Sequence, residues 1–142
     1  MLRAPKPDRH PVNVGQRNEG AILHALIALG YVVLVPWGVN QRHDLLIEQD
    51  GGYIRAQCKT GRLRNGSVRL RTNSIRSNLH RTSKREYTGE ADIFLVHCLE
   101  TGGVYAIPVE EAPSNEMHLR VEPSRNNQSK GIHWAKDYEL PA

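Results

Sequence analysis

The segment HDLLIEQDGGYIRAQCKTGRLRNG, His43 to Gly66, carries the densest structural signal in the chain. Asp44 to Gln49 reads as a strand, Asp50-Gly51-Gly52 as a tight turn, and Tyr53 to Thr60 as the returning strand of a hairpin. Side chains alternate along a strand, so Gln57 and Lys59 share one face. Ile54, Ala56 and Cys58 share the other, which is apolar. The hairpin sets the polar face beside Asp44.

Upstream, Ile22, Leu23, Leu26, Ile27 and Leu29 recur at helical spacing, which predicts a helix over Val14 to Leu29, with Asn13 in the cap region and Gly30 as the stop. Glu19 stands four residues before Leu23 and seven before Leu26, on the stripe expected to pack on the sheet. A carboxylate there costs free energy unless something pairs with it. Tyr31 to Val35 is β-branched and short, a strand ended by Pro36-Trp37-Gly38. Trp37 is expected in the core or in a lid.

Downstream, Ser67 to Thr72 alternates as a half-exposed strand, and Ile93 to Leu99 is the continuous apolar run of a strand buried on both faces. Gly103 to Val109 is its neighbour, and Val109 to Ala112 starts a helical turn. Asn73 to Thr88 is polar and basic without a period, either a short helix or a loop that orders on a ligand. Glu122 to Lys130 is polar, and Ile132, Trp134, Tyr138 and Leu140 dock a final segment on the core. Residues 1–12 form a loose arm and residues 13–142 a single domain. One helix followed by strands predicts an α/β fold with a mixed central sheet flanked by helices.

The 142 residues suit one compact domain, and 39% are hydrophobic. No apolar stretch is long enough to cross a bilayer, and the first residues lack the apolar region of a secretory signal, so a cytoplasmic location is expected. Cys58 and Cys98 sit in separate apolar runs and read as reduced thiols; no Cys/His spacing suits zinc. The net charge of +4 is unevenly spread. Between Arg55 and Arg85 stand ten Lys and Arg with no Asp or Glu among them, a footprint for an anionic partner.

Two carboxylates, an amide and a lysine on one hairpin and one helix suit metal-assisted phosphodiester hydrolysis. Oxygen donors suit Mg²⁺, with Mn²⁺ as a substitute. Asp44 is the expected charged ligand, Gln57 offers its amide oxygen, Cys58 its backbone carbonyl, and Glu19 holds the water shell or a second ion. Lys59 orients or deprotonates the attacking water and steadies the transition state. Arg62, Arg64, Arg69 and Arg71 are expected on phosphate, along with Arg42, Arg76, Arg81, Lys84 and Arg85.

His43 to Gly66 resembles the PD-(D/E)XK nuclease superfamily, and in particular the endonuclease group associated with group I introns. NEGAIL (Asn18–Leu23), LGYVVLVPWGVNQRHDL (Leu29–Leu45), REYTGEADIFLVHC (Arg85–Cys98) and RNNQSKGIHWAKDYEL (Arg125–Leu140) are similar to the same group. The resemblance implies a restriction-endonuclease-like core, Mg²⁺ dependence and DNA cleavage. It places Asp44 on the metal, Gln57 and Lys59 at the two motif positions, and Glu19 as the helix carboxylate. The superfamily's usual acid before X-Lys is Gln57 here, a substitution the intron-associated group tolerates.

Three alternatives accompany this reading. A Holliday-junction-resolving nuclease shares the small core and the motif, and acts on branched DNA. A catalytically silent DNA-binding module would use the basic run alone, and a protein-interaction domain would use neither feature. Cutting both strands of a duplex needs two sites, so a homodimer or higher oligomer is expected.

Overall fold

The computed structural model describes residues 1–38, 44–77, 82–85, 91–123, 126 and 130–141, with only the backbone for 74–77 and 82–85. Helix α1 (Pro11–Ala28) starts three residues before the expected Val14. Pro11, with its fixed φ and no N–H to satisfy, occupies the first turn, and His10 caps it by accepting the Val12 N–H on Nδ1 at 3.3 Å. Gly30, at φ +92°, ends the helix in the left-handed conformation. Its N–H donates to the Ile27 carbonyl, and that of Tyr31 to the Leu26 carbonyl.

Strand β1 (Val33–Leu34) is shorter than expected and lies at the sheet edge, antiparallel to β2 (Leu45–Gln49). Trp37 is 98% exposed, which corrects the expectation of a core residue: the chain leaves the sheet after β1, and nothing in the described residues covers the indole. β2 turns into β3 (Gly52–Arg64) through Asp50 and Gly51, both at positive φ. β3 runs four residues past the expected Thr60, and a second such turn at Asn65-Gly66 leads to β4 (Ser67–Arg71).

Within Asn73–Thr88 the described backbone is neither helix nor loop alone. β5 (Ser74–Ser77) and β6 (Thr82–Arg85) pair antiparallel as a separate two-stranded sheet. β7 (Ile93–Cys98) lies parallel to β3, and β8 (Val104–Pro108) antiparallel to β7. A single 3-10 turn follows at Val109–Glu111. β9 (Glu116–Arg120), which the sequence reading missed, pairs with β4, and β10 (His133–Trp134) adds parallel to β9.

The long β3 belongs to two sheet halves. Its first part pairs with β2 and β7, and its last three residues pair with β4. The mixed sheet thereby folds back on itself. One face of β7 and β8 (Phe94, Val96, Cys98, Tyr105, Ile107) packs on Val68, Leu70, Met117 and Leu119 of β4 and β9. The other face receives α1 through Ile22 and Leu26, against Leu45, Ile47, Ala56 and Leu95. Among the described residues α1 is the one α-helix, so its sheet face is covered by helix and the opposite face by the returning sheet.

Candidate active site

The hairpin register brings the expected residues together at the start of β2. The Asp44 N–H donates to the Ala56 carbonyl at 2.8 Å, which fixes the Asp44 backbone against β3. Its Oδ2 then accepts two hydrogen bonds, from Gln57 Nε2 at 2.9 Å and from the Cys58 N–H at 2.8 Å. Asp44 is therefore held by its neighbour strand before any ligand arrives.

Glu19 approaches from α1. The buried stripe of the helix is Asn18, Ile22 and Leu26, so Glu19 flanks the stripe and does not lie within it, a correction of one helical position. That places its carboxylate at the rim of the helix–sheet junction. Burial, and next the Asp44 charge and hydrogen bond, push the Glu19 carboxyl above its usual range.

The third member is the Cys58 side chain. Its thiol lies on the helix face of β3, opposite to Gln57 and Lys59. One oxygen each of Glu19 and Asp44 and the Cys58 sulfur all fall within 4.8 Å of one another. Burial, then Asp44, then Glu19 raise the thiol pKa strongly. From sequence Cys58 is expected to offer a backbone carbonyl to the metal and to carry a reduced thiol; the thiol's contact with two carboxylates depends on the approach of α1, which no local pattern reports.

Lys59 points to the other face of β3. Its Nζ stands 5.4 Å from the centre of the Phe94 ring and 3.4 Å from the Asn73 carbonyl oxygen. Burial lowers its pKa from 10.5 to about 8, against an opposing pull from Asp44. An amine with this pKa exchanges protons near neutrality.

The donor set suits a divalent cation. Two carboxylates converge, and like charges so placed repel unless a proton or cation lies between them. Gln57 Nε2 is committed to Asp44, while its Oε1 is buried and accepts no hydrogen bond among the described residues. A buried amide oxygen without a donor is costly, and a cation or its water would satisfy it.

Basic residues continue the site along β3. Arg62 pairs with Arg69 across the β3–β4 ladder, and Arg64 and Arg71 follow on the same face by alternation. A cleft of about 450 Å³ is lined by Lys59, Thr60, these four arginines, Leu70 and Glu116. Arg69 Nε is buried in this region without an acceptor among the described residues. β9 extends the face with His118 opposite Arg69 and Arg120 opposite Ser67, residues missed because β9 was not foreseen. Arg55 is taken out of the basic run by Asp92, which accepts its backbone N–H at 2.8 Å and its guanidinium at 3.0 Å. Arg76, Lys84 and Arg85 lie on β5 and β6, where only the backbone is described. Arg42 and Arg81 lie outside the described residues.

The profile of the PD-(D/E)XK endonuclease family matches residues 9–141. The chain belongs to the PD-(D/E)XK endonuclease family. Among solved structures, the fold is similar to that of a bacterial homing endonuclease, I-Ssp6803I, with a TM-score of 0.75 and 19% sequence identity. That likeness covers 91% of this chain and 88% of the other. No curated protein matches the sequence significantly. The family assignment agrees with the restriction-endonuclease-like α/β core expected from His43–Gly66, and it makes the chain a nuclease by family. No helix of the described residues is long and apolar enough to cross a membrane.

Proposed function

We propose that this PD-(D/E)XK protein is a Mg²⁺-dependent DNA endonuclease of the intron-associated, homing type. Glu19, Asp44, Gln57 and Lys59 form its active site. The observation that carries the proposal is Asp44: its carboxylate, anchored through Oδ2 by Gln57 and the Cys58 N–H, is held beside Glu19. The resemblance of His43–Gly66 to the intron-associated group and the fold likeness to a homing endonuclease support the type.

Asp44 and Glu19 would hold the metal, with Gln57 Oε1 and the Cys58 carbonyl as further oxygen donors. When bound, Mg²⁺ or Mn²⁺ supplies a Lewis acid that polarises the scissile phosphate and lowers the pKa of a water. Lys59 does the remaining work from the other face of β3. Its neutral amine takes the proton of the attacking water, and the resulting ammonium stabilises charge on the phosphate oxygens. The new bond joins the water oxygen to phosphorus, and the bond to the leaving sugar oxygen breaks, that oxygen taking a proton from solvent water. Burial of Lys59 is what keeps a neutral fraction available.

The cleft along β3 and β4 would carry the DNA backbone away from the cut. Arg62, Arg64, Arg69 and Arg71 fit phosphate oxygens and position the duplex without reading its sequence. Arg42, Arg76, Arg81, Lys84 and Arg85 complete the proposed contacts. A double-strand cut requires two copies of the site, so the protein acts as a homodimer or higher oligomer.

The test is cleavage of supercoiled plasmid and of a long duplex library in Mg²⁺, Mn²⁺ or EDTA. Metal-dependent cutting at one long site, lost in Asp44→Ala and Lys59→Ala while DNA binding persists, is the expected result. Binding without cutting under every metal would overturn the enzyme assignment. Preferential symmetric cutting of four-way junctions would replace the homing type by a junction resolvase.

A further inference from the structure

Asn18 is the one polar member of the buried stripe of α1, at 6% exposure, directly before Glu19. Its amide is satisfied by three elements at once. Nδ2 donates to the Val14 carbonyl within α1 and to Thr60 Oγ1 on β3, both at 2.9 Å. Oδ1 lies 2.7 Å from His97 Nδ1 on β7. The Val14 carbonyl can only accept, so the amide nitrogen must face it and Oδ1 must face His97. His97 therefore donates from Nδ1. Burial lowers the His97 pKa, in keeping with a neutral ring.

Thr60 and His97 are directly paired in the β3–β7 ladder. The amide thus bridges two adjacent central strands at one level. Thr60 lies two residues beyond Cys58, on the same face of β3 by alternation. Consecutive helix residues are related by about 100° and a rise of about 1.5 Å, so pinning Asn18 also sets the height and rotation of Glu19. The need for a pin is physical. Glu19 and Asp44 are two carboxylates that repel when ionised, and that repulsion pushes α1 away from β2 and β3. The Asn18 bridge is neutral and acts whether or not a cation is present.

We propose that Asn18, with Thr60 and His97, is a positioning network that holds the Glu19 carboxylate at the metal site against repulsion from Asp44. This rests on the metal-dependent reading above. An apolar residue at position 18 could pack the stripe but would leave the helix free to slide. The network exchanges packing for register, as buried polar groups do in other helical interfaces. Neither Asn18, Thr60 nor His97 touches the reacting atoms in this arrangement; each acts through Glu19.

The experiment measures Mn²⁺ binding by calorimetry on the full, DNA-free chain. Wild type is compared with Thr60→Val, Thr60→Ser and Asn18→Ala, each checked for folding by thermal unfolding. Removal of residues that orient metal ligands lowers affinity by about 10- to 100-fold. Thr60→Val is expected to weaken Mn²⁺ binding about tenfold, and Thr60→Ser, which keeps the acceptor oxygen, to remain within about twofold of wild type. In plasmid cleavage the half-saturating Mn²⁺ concentration should rise by the same factor in Thr60→Val, with the rate recovering at saturating metal. Equal Mn²⁺ affinity in Thr60→Val and wild type would overturn the proposal, as would a Thr60→Ser variant as weak as Thr60→Val. If Asn18→Ala unfolds, the two Thr60 variants still decide. A wild type that binds Mn²⁺ without cutting DNA would sink the endonuclease reading and leave the positioning network standing. A wild type that binds no Mn²⁺ would sink both.

Discussion

Gly61 lies two residues beyond Lys59, where β3 passes from one half of the sheet to the other. A Cβ there would stand 2.7 Å from Val68 Cγ1, 2.9 Å from Val96 Cγ1 and 3.4 Å from Cys98 Cβ. Carbon atoms pack at about 3.5–4.0 Å, so two contacts are short by roughly 0.6 Å or more. Val68 and Val96 are fully buried and belong to the same core, so neither can swing into solvent. Gly61→Ala must shift β3 or force valine rotamers, and overpacking of this kind costs about 1–3 kcal/mol. For a chain of this size each kcal/mol is worth about 3 °C, so Tm should fall by about 3–9 °C. Thermal and urea unfolding measure the loss directly. A double-mutant cycle with Val68→Ala tests its cause. The smaller side chain makes room for the new methyl, so the double variant should be more stable than the sum of the single losses by about 1 kcal/mol or more. Because β3 carries Lys59 and Arg62 on either side, plasmid cleavage should fall with stability in Gly61→Ala and recover in the double variant. A Gly61→Ala protein within about 0.5 kcal/mol of wild type, or strict additivity with Val68→Ala, would refute the claim that close packing requires glycine here.

Glu19→Gln should stabilise the metal-free protein at neutral pH. A carboxyl whose folded pKa is raised loses stability as pH climbs from its unfolded value of 4.5 through the folded one, so the gain should vanish below pH 4.5, as pH-dependent unfolding would show. The same variant should lose the stabilisation by metal, about 2.7 kcal/mol for wild type at a hundredfold excess over Kd, read as a Tm shift on adding Mn²⁺. Cys58→Ser should leave Mg²⁺-supported cleavage within a few-fold but weaken Cd²⁺ binding, because a soft thiolate is replaced by a hard hydroxyl; ultraviolet sulfur-to-metal absorption in wild type, absent in the variant, reports it. Arg69→Ala should weaken binding to all duplex sequences alike and reduce the slope of log K against log salt by about 0.9 per lost phosphate contact. A sequence-dependent loss would instead make Arg69 a base-reading residue.

Local chemistry made much of this protein legible in its sequence. The Asp50-Gly51 turn sets a hairpin, and the hairpin's period of two sets Gln57 and Lys59 on one face beside Asp44. Gly30 ends the helix, and the apolar run from Ile93 marks a strand covered on both sides. These are short-range facts, decided by φ preferences and alternation within a few residues. Asn65-Gly66 is an equally strong local turn signal, and it joins β3 to β4. Strand β9 is not legible in the sequence because Glu116, His118 and Arg120 alternate with only two apolar residues, Met117 and Leu119.

The tertiary structure decided what depends on distant parts meeting. The helix stripe could be read one residue out of phase, because Leu23 is as apolar as Ile22 and only docking chooses between them. That docking makes Asn18 a buried bridge and leaves Glu19 at the rim. It also brings the Cys58 thiol to two carboxylates, one 39 residues before it in the chain and one 14 before it. Asp44 and Lys59 were visible as a pair because one hairpin holds both. Glu19 joins them only through packing of α1 on β3 and β7, a contact between residues dozens of positions apart whose geometry no local pattern encodes.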